Sequence, residues 1–259
     1  MISDKFLWAS KNSAEIAVAM ASPHLVVLPV AATEQHGPHL PLSTDTDILE
    51  GILSHALALS ADLPVLVLPT QTVGLSSEHM NFAGSLTLTP ELCLASWFSL
   101  LQSANKAGAK RFLILNGHGG QTSVCELLAG RARFELGVQA IWSHVDGLGL
   151  PKDVISDQER RIGLHAGQVE TALMMALQPQ RVQLDKRADF ASTRESLTQN
   201  NTQLRSGGAA RYAWRAEDLN QSGAVGAANK ASKEQGVAIL NHRAKSLAQL
   251  FEEALQLPT

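Results

Sequence analysis

The sequence predicts an α/β fold, a three-layer α/β/α sandwich with a largely parallel central sheet, and three observations predict it. Short runs rich in Val, Ile and Leu alternate with segments of helical periodicity. The runs are apolar throughout, as strands covered on both faces are. Helix-start signals stand between them, where a crossover between parallel strands needs a helix.

Buried strands are expected at "HLVVLPVAA" (24–32), "LPVLVLPTQTVG" (63–74), "KRFLILNGHG" (110–119) and "VQAIWSHVD" (138–146). Between the first two, Leu49, Ile52, Leu53, Ala56 and Leu57 mark one face of a helix opening near Asp45. Thr89 as N-cap, Pro90 at the first helical position and Glu91 in the first turn start another, running to about Gly108. A third covers roughly 121–136, with Val124 and Leu128 among its apolar residues, and a fourth about 167–177, stopped by Pro179. The polar stretch 183–229, including "RSGGAARYAW", reads as a long binding loop or lid. A closing amphipathic helix at about 231–256 repeats Val237, Leu240, Ala244, Leu247 and Phe251.

With 259 residues, 45% hydrophobic and 17% charged, the chain suits one domain spanning 1–259. A formal net charge of −3 gives no reason to expect nucleic acid or an anionic membrane as partner. Apolar runs stop well short of the ~20 residues that span a bilayer. The start, "MISDKFLWASKNSAE", carries no secretory pattern, and Cys93 and Cys125 sit inside helical patterns. Reduced core thiols in a cytoplasmic protein are therefore expected.

Ligands of parallel α/β sheets bind outside the carboxyl ends of the strands. The polar groups collect there: Glu34 and His36 after the first strand, Glu78 and His79 after the second, Asn116 and His118 after the third, and His144 and Asp146 after the fourth. In Glu34-x-His36 an extended backbone turns both side chains to one side. Asp45 reads either as a helix N-cap or as a third ligand. His118 lies in "NGHGGQ", whose glycines permit a tight turn and bare backbone amides; no Walker lysine or G-x-G-x-x-G supports a phosphate loop. Glu170 shares a helical stripe with Leu173, Met174 and Leu177, so it must be paired, as by Arg161, or bound to a metal. His165, just before that helix, is placed to carry a proton.

Glu34, His36, Asp45, His118 and Glu170 together supply three carboxylates and two imidazoles. Two divalent ions bring four positive charges, so the carboxylates and one bridging hydroxide balance them, with Asp45 as the bridge. An oxygen/nitrogen donor set suits zinc first, with manganese or iron also compatible. Such a pair lowers the pKa of a bridging water from ~15.7 toward ~7. Glu78, His79, the Gly119–Gly120 amides and Trp214 are candidate substrate contacts.

"TEQHGPHLPLSTDTD", "EHMNFAGSLTL", "LNGHGGQ" and "HAGQVETALMM", then "AWRAEDLNQSGAVG" and "KASKEQGVAIL", resemble in order the segments of the creatininase family over roughly 25–240. The resemblance implies an α/β/α fold, a dinuclear metal site, hydrolysis of a non-peptide amide and commonly a hexamer. Family ligand positions map onto Glu34, His36, Asp45 and His118, and the family's acid/base histidine onto His165. Two departures point away from creatinine itself. Gly119 and Gly120 stand where creatinine-hydrolysing members carry an aromatic residue and a ligand glutamate, which leaves Glu170 to supply that ligand. Arg161-Ile162 stands where those members place Trp-Asp.

The expected function is hydrolysis of an amide, cyclic amide or formamide C–N bond in a small molecule, with the tetrahedral oxyanion at the metals and His165 protonating the leaving nitrogen. The alternatives are a non-catalytic metal-containing binding protein of this fold and a mononuclear zinc deacetylase.

Overall fold

A computed structural model of the chain describes residues 1–204 and 209–258, so positions 205–208 of the "RSGGAARYAW" segment lie outside the described residues. After α1 (Ser13–Met20), the chain runs through β1 (Leu25–Val30), α2 (Thr44–Leu59), β2 (Val65–Val67), α3 (Pro90–Lys106), β3 (Arg111–Asn116), α4 (Thr122–Leu136) and β4 (Gln139–His144). Next come α5 (Asp157–Ile162), α6 (Gln168–Leu177), β5 (Asp189–Phe190), α7 (Thr193–Asn200), α8 (Ala216–Leu219), β6 (Gly226–Ala227) and the closing α9 (Lys233–Gln256).

The main sheet has the order β2-β1-β3-β4 and is parallel at every pairing. Successive side chains along a strand face opposite ways, and this divides the core into two layers. Leu25, Val27, Leu113 and Leu115 pack with Leu49, Leu53, Leu173, Leu240 and Phe251, from α2, α6 and α9. Val26, Leu28, Phe112 and Ile114 face the other way, onto Trp97 and Leu101 of α3 and Cys125 and Leu128 of α4. This is the three-layer α/β/α arrangement the sequence predicts. Fully burying each such side chain stabilises by roughly 1.5–3 kcal/mol, so both faces of the sheet are anchored.

The register of the strands aligns their ends. Val30 lies opposite Asn116, and Asn116 opposite His144, so β1, β3 and β4 end level. The polar segments after these strands therefore emerge at one edge.

Several expectations change. The second strand is confined to Val65–Val67, because Pro64 and Pro69 bracket it; the chain beyond stays tied to β1 through Gln71. β4 is an edge strand, with Trp142 36% exposed, rather than buried on both faces. Along α9 the buried stripe runs through Gly236, Ile239, Leu240, Arg243, Ala244, Leu247 and Phe251, which leaves Val237 exposed. Thr89 caps α3 through the Leu92 amide as expected. Asp45, by contrast, is no N-cap: it sits inside the first turn of α2, after Ser43. The stretch 183–229 is not one long loop, since it carries α7, α8 and the antiparallel pair β5–β6.

Candidate metal centre

Glu34 and His36 follow β1, Asp45 opens α2, His118 follows β3, and Glu170 lies in the first turn of α6. The fold brings all five to the level edge of the sheet. Glu34, His36, Asp45 and His118 are each no more than 5% exposed, while the Glu170 side chain is 20% exposed.

Asp45 is the centre of the arrangement. Its Oδ1 lies 3.2 Å from His36 Nε2 and its Oδ2 3.5 Å from His118 Nδ1. The donor atoms fall into two triads that share it: Glu34, Asp45 and His118 on one side, His36, Asp45 and Glu170 on the other. His118 Nδ1 is 3.2 Å from Glu34 Oε1, and His36 Nε2 is 3.9 Å from Glu170 Oε2.

Hydrogen bonds to the far ring nitrogens define which atom each imidazole presents. His36 Nδ1 donates to the Glu34 carbonyl at 3.1 Å, which turns Nε2 to the cluster. His118 Nε2 donates to the Leu75 carbonyl at 2.9 Å, which turns Nδ1 inward. His165 Nε2 donates to the Gln35 carbonyl at 2.6 Å, leaving Nδ1 bare 3.6 Å from Glu34 Oε1.

The residues fit divalent cations on independent grounds. Neither oxygen of Glu34, nor Oδ2 of Asp45, receives a hydrogen bond from any described residue, although all three atoms are buried. Orphaned carboxylate oxygens at such depth cost too much to leave unpaired. Protonation agrees with this. Burial pushes the Asp45 and Glu170 carboxyls up, only partly offset by His36. Burial opposes charge on His36 too, yet Asp45, Glu170 and Glu34 outweigh it and raise its pKa to about 9. His118 is likewise raised well above its ordinary value, against burial, by Glu34, Glu78 and Asp45. Burial would raise Glu34, but His118, His165 and His79 hold it well below the usual carboxylate range. These shifts are those of a buried, carboxylate-rich cluster that favours positive charge beside it.

His165 is buried, and that burial, together with His36, lowers its pKa to about 4, so it is neutral at pH 7. Its ring also falls within donor distance of Glu34 and His36, forming a third triad with them. Glu78, Gly119 and Trp214 line a cavity of about 210 Å³ above the cluster, together with Gly120, His144 and Asp146. His79 borders this cavity but its Nε2 turns to Glu34 Oε1, 3.3 Å away, while Gln35 Nε2 donates to its Nδ1 at 2.7 Å. Glu170 does not pair with Arg161; its Oε2 accepts the amide of Ala166, whose φ is +52°. The spacing that puts Glu170 on an apolar stripe is therefore informative, since the helix start tilts it toward His36.

Sequence reasoning missed the frame around His165. Glu159, on the short helix α5, is 8% exposed and accepts the Gln168 and Ala227 amides, both at 2.9 Å. Three glycines crowd its carboxylate: a Cβ at Gly163, Gly167 or Gly226 would lie 2.4, 2.7 or 2.5 Å from Oε1. The segment 163–167 is thereby tied to β6, and the Val225 amide donates to the His165 carbonyl at 2.7 Å. A six-residue helix gives little periodicity to find. The glycines were the available signal.

Fold and site thus define a three-layer α/β/α protein with a buried cluster of metal-binding character at the sheet edge. The creatininase family, described as creatinine amidohydrolase, matches residues 9–251, and the chain belongs to that family. It is 33% identical over 170 residues to the mycofactocin precursor peptide peptidase of Mycobacterium tuberculosis (strain CDC 1551 / Oshkosh), covering 62% of this chain and 61% of that one. The match therefore spans less than two thirds of that relative's length. It is 25% identical over 181 residues to the creatinine amidohydrolase of Pseudomonas putida, covering 64% of this chain and 68% of that one. A solved manganese form of creatininase superposes with a TM-score of 0.76 at 20% identity, covering 97% of this chain and 99% of that one, a likeness of fold. Among the described residues, no helix is long and apolar enough to cross a membrane.

Proposed function

We propose that the protein is a metal-dependent amidohydrolase with a dinuclear centre, Glu34, Asp45 and His118 holding one divalent ion and His36, Asp45 and Glu170 the other. The observation that carries this reading is the division of the Asp45 carboxylate, one oxygen beside His36 and the other beside His118. A carboxylate shared between two donor triads suits a two-metal site better than a mononuclear deacetylase. Zinc or manganese suits the oxygen/nitrogen donors, and iron remains compatible with them.

Divalent ions held there would lower the pKa of a bound water and polarise a substrate carbonyl. The chain's residues do the rest. Gln35 orients His79 beside Glu34, and Leu75 fixes the His118 ring. His165 starts neutral, so its bare Nδ1 takes the proton of the attacking water and passes it to the departing nitrogen. Gly119 and Trp214 border the space for the acyl part. Since a relative is named a peptide peptidase, peptide amides join the lactams and formamides that the sequence suggests.

A homohexamer in the cytoplasm completes the proposal, the compartment supported by the free, buried Cys93 and Cys125 and the assembly by family resemblance. The test is turnover by metal-reconstituted protein across peptides, lactams, formamides and simple amides. Hydrolysis of any of them supports the reading. Stoichiometric metal with ligand binding but no hydrolysis would leave a binding protein of the same fold.

A further inference from the structure

Beside the cavity over the cluster lies a second, of about 240 Å³, whose walls include Leu150, Arg160, Val169 and Arg243. The two adjoin and share part of their lining. Asp146, Leu164, His165 and Glu170 line both, so His165 stands on the saddle between them.

From this geometry we propose that the second cavity is a subsite for the leaving amine, and that the substrate is an open-chain amide bearing an apolar, amino-acid-sized group on its nitrogen. The inference rests on the hydrolase reading above. With the carbonyl over Asp45 and its neighbours, the scissile nitrogen faces His165, and whatever the nitrogen carries continues across the saddle. A compact lactam would fill one cavity and leave the other to water. A substrate with bulk on both sides of the C–N bond fills both.

The lining sets the chemistry. Leu150, Leu164 and Val169 offer apolar surface. The Arg243 guanidinium is 2% exposed and already engaged, by Asp146 Oδ1 at 2.8 Å and the Gly149 carbonyl at 3.2 Å. Arg160 is held by the carbonyls of Pro151 at 2.8 Å and Ile155 at 3.1 Å. Asp146 balances the Arg243 charge, the Glu159 carboxylate is occupied by the Gln168 and Ala227 amides, and Arg160 is exposed to solvent, so the apolar side chains are what the cavity offers a fragment. In the reaction, water supplies the oxygen that bonds to the carbonyl carbon and the proton that His165 relays. The C–N bond breaks with its electron pair on nitrogen, which takes that proton, giving a carboxylic acid and the free amine.

The experiment uses metal-loaded protein and one acyl group joined either to ammonia or to leucinamide. The wild type is expected to show at least tenfold higher kcat/KM on the leucinamide substrate. Leu150→Trp, which fills the cavity, should lower that ratio at least tenfold, and Leu150→Ala should shift it toward larger leaving amines such as tryptophanamide. If both variants turn over with the wild-type ratio, the subsite is overturned while the hydrolase stands. Should no substrate be hydrolysed at all, the hydrolase reading fails instead, and calorimetry with leucinamide decides the cavity: binding weakened by Leu150→Trp supports it, and no binding overturns it.

Discussion

The Glu78 carboxylate occupies the space that a side chain at position 120 would need: a Cβ on Gly120 would lie 2.0 Å from Glu78 Oε1 and 2.5 Å from His118 Nε2. Glycine at 120 and the inward position of Glu78 therefore belong together. The same Oε1 sits 3.4 Å from His118 Nε2, beside the hydrogen bond that orients that ring. Gly120→Ala is expected to expel Glu78 and tilt His118, with a loss of roughly 10- to 100-fold in metal affinity or activity, the usual cost of disturbing an outer-shell partner. Metal titration of the variant checks this, and unchanged affinity with unchanged turnover would contradict it.

His165→Ala should keep the two proposed metals, because neither triad around Asp45 requires that ring. Turnover should fall by roughly 100- to 10,000-fold, the range for losing a positioned proton carrier. Metal analysis alongside kcat separates the two effects. Loss of a metal equivalent would instead make His165 a ligand.

Glu159 is expected to act through His165. Glu159→Gln replaces one accepting oxygen with a donor that faces backbone N–H, loosening the segment 163–167. A fall of about tenfold or more in kcat is expected, with little change in KM. Amides with poor leaving amines should suffer more than anilides. Combined with His165→Ala, the loss should be far from additive, since both act on one proton transfer. Additive losses, equal for all leaving groups, would mark a role in folding alone.

Stability should depend on pH through His39. It is fully buried, its Nε2 is 2.9 Å from Thr171 Oγ1, and burial with the nearby His36 and Arg187 lowers its pKa to about 4. The unfolded chain binds that proton near pH 6.5 and the folded one does not. Stability is therefore complete above about pH 6.5 and is lost as pH falls toward about 4. Urea midpoints at pH 7.5, 6.5 and 5.5 should decline on the acid side, less steeply in His39→Gln. A variant with the full wild-type slope would remove His39 from the account.

Much of the fold and site was legible in the sequence because it depends on local pattern. Apolar runs such as "LVVLPV" and "RFLILN" carry their strand identity within a few residues, and the two-residue spacing of Glu34 and His36 already aims both side chains one way. What was hidden depends on contacts between distant segments. Asp45 looks like a cap until Ser43 is seen to hold that position, with α2 already under way at Thr44. His79 looks like a loop residue until Gln35 turns its ring onto Glu34. Glu159 has no local signature, since the amides and glycines around it come from as far as Ala227. The Asp146–Arg243 pair joins the end of the sheet to the last helix in the same way.

If Asp45 bridges two metal ions as proposed, metal content per chain will reveal it. Wild-type protein, Asp45→Asn, Glu34→Gln and His118→Ala would be reconstituted, dialysed and analysed side by side. About two transition-metal ions per wild-type chain are expected, both lost in Asp45→Asn, and at least one lost in each of the other variants. A wild type that holds no zinc, manganese or iron after reconstitution, or an Asp45→Asn variant that still holds two, would contradict the proposal.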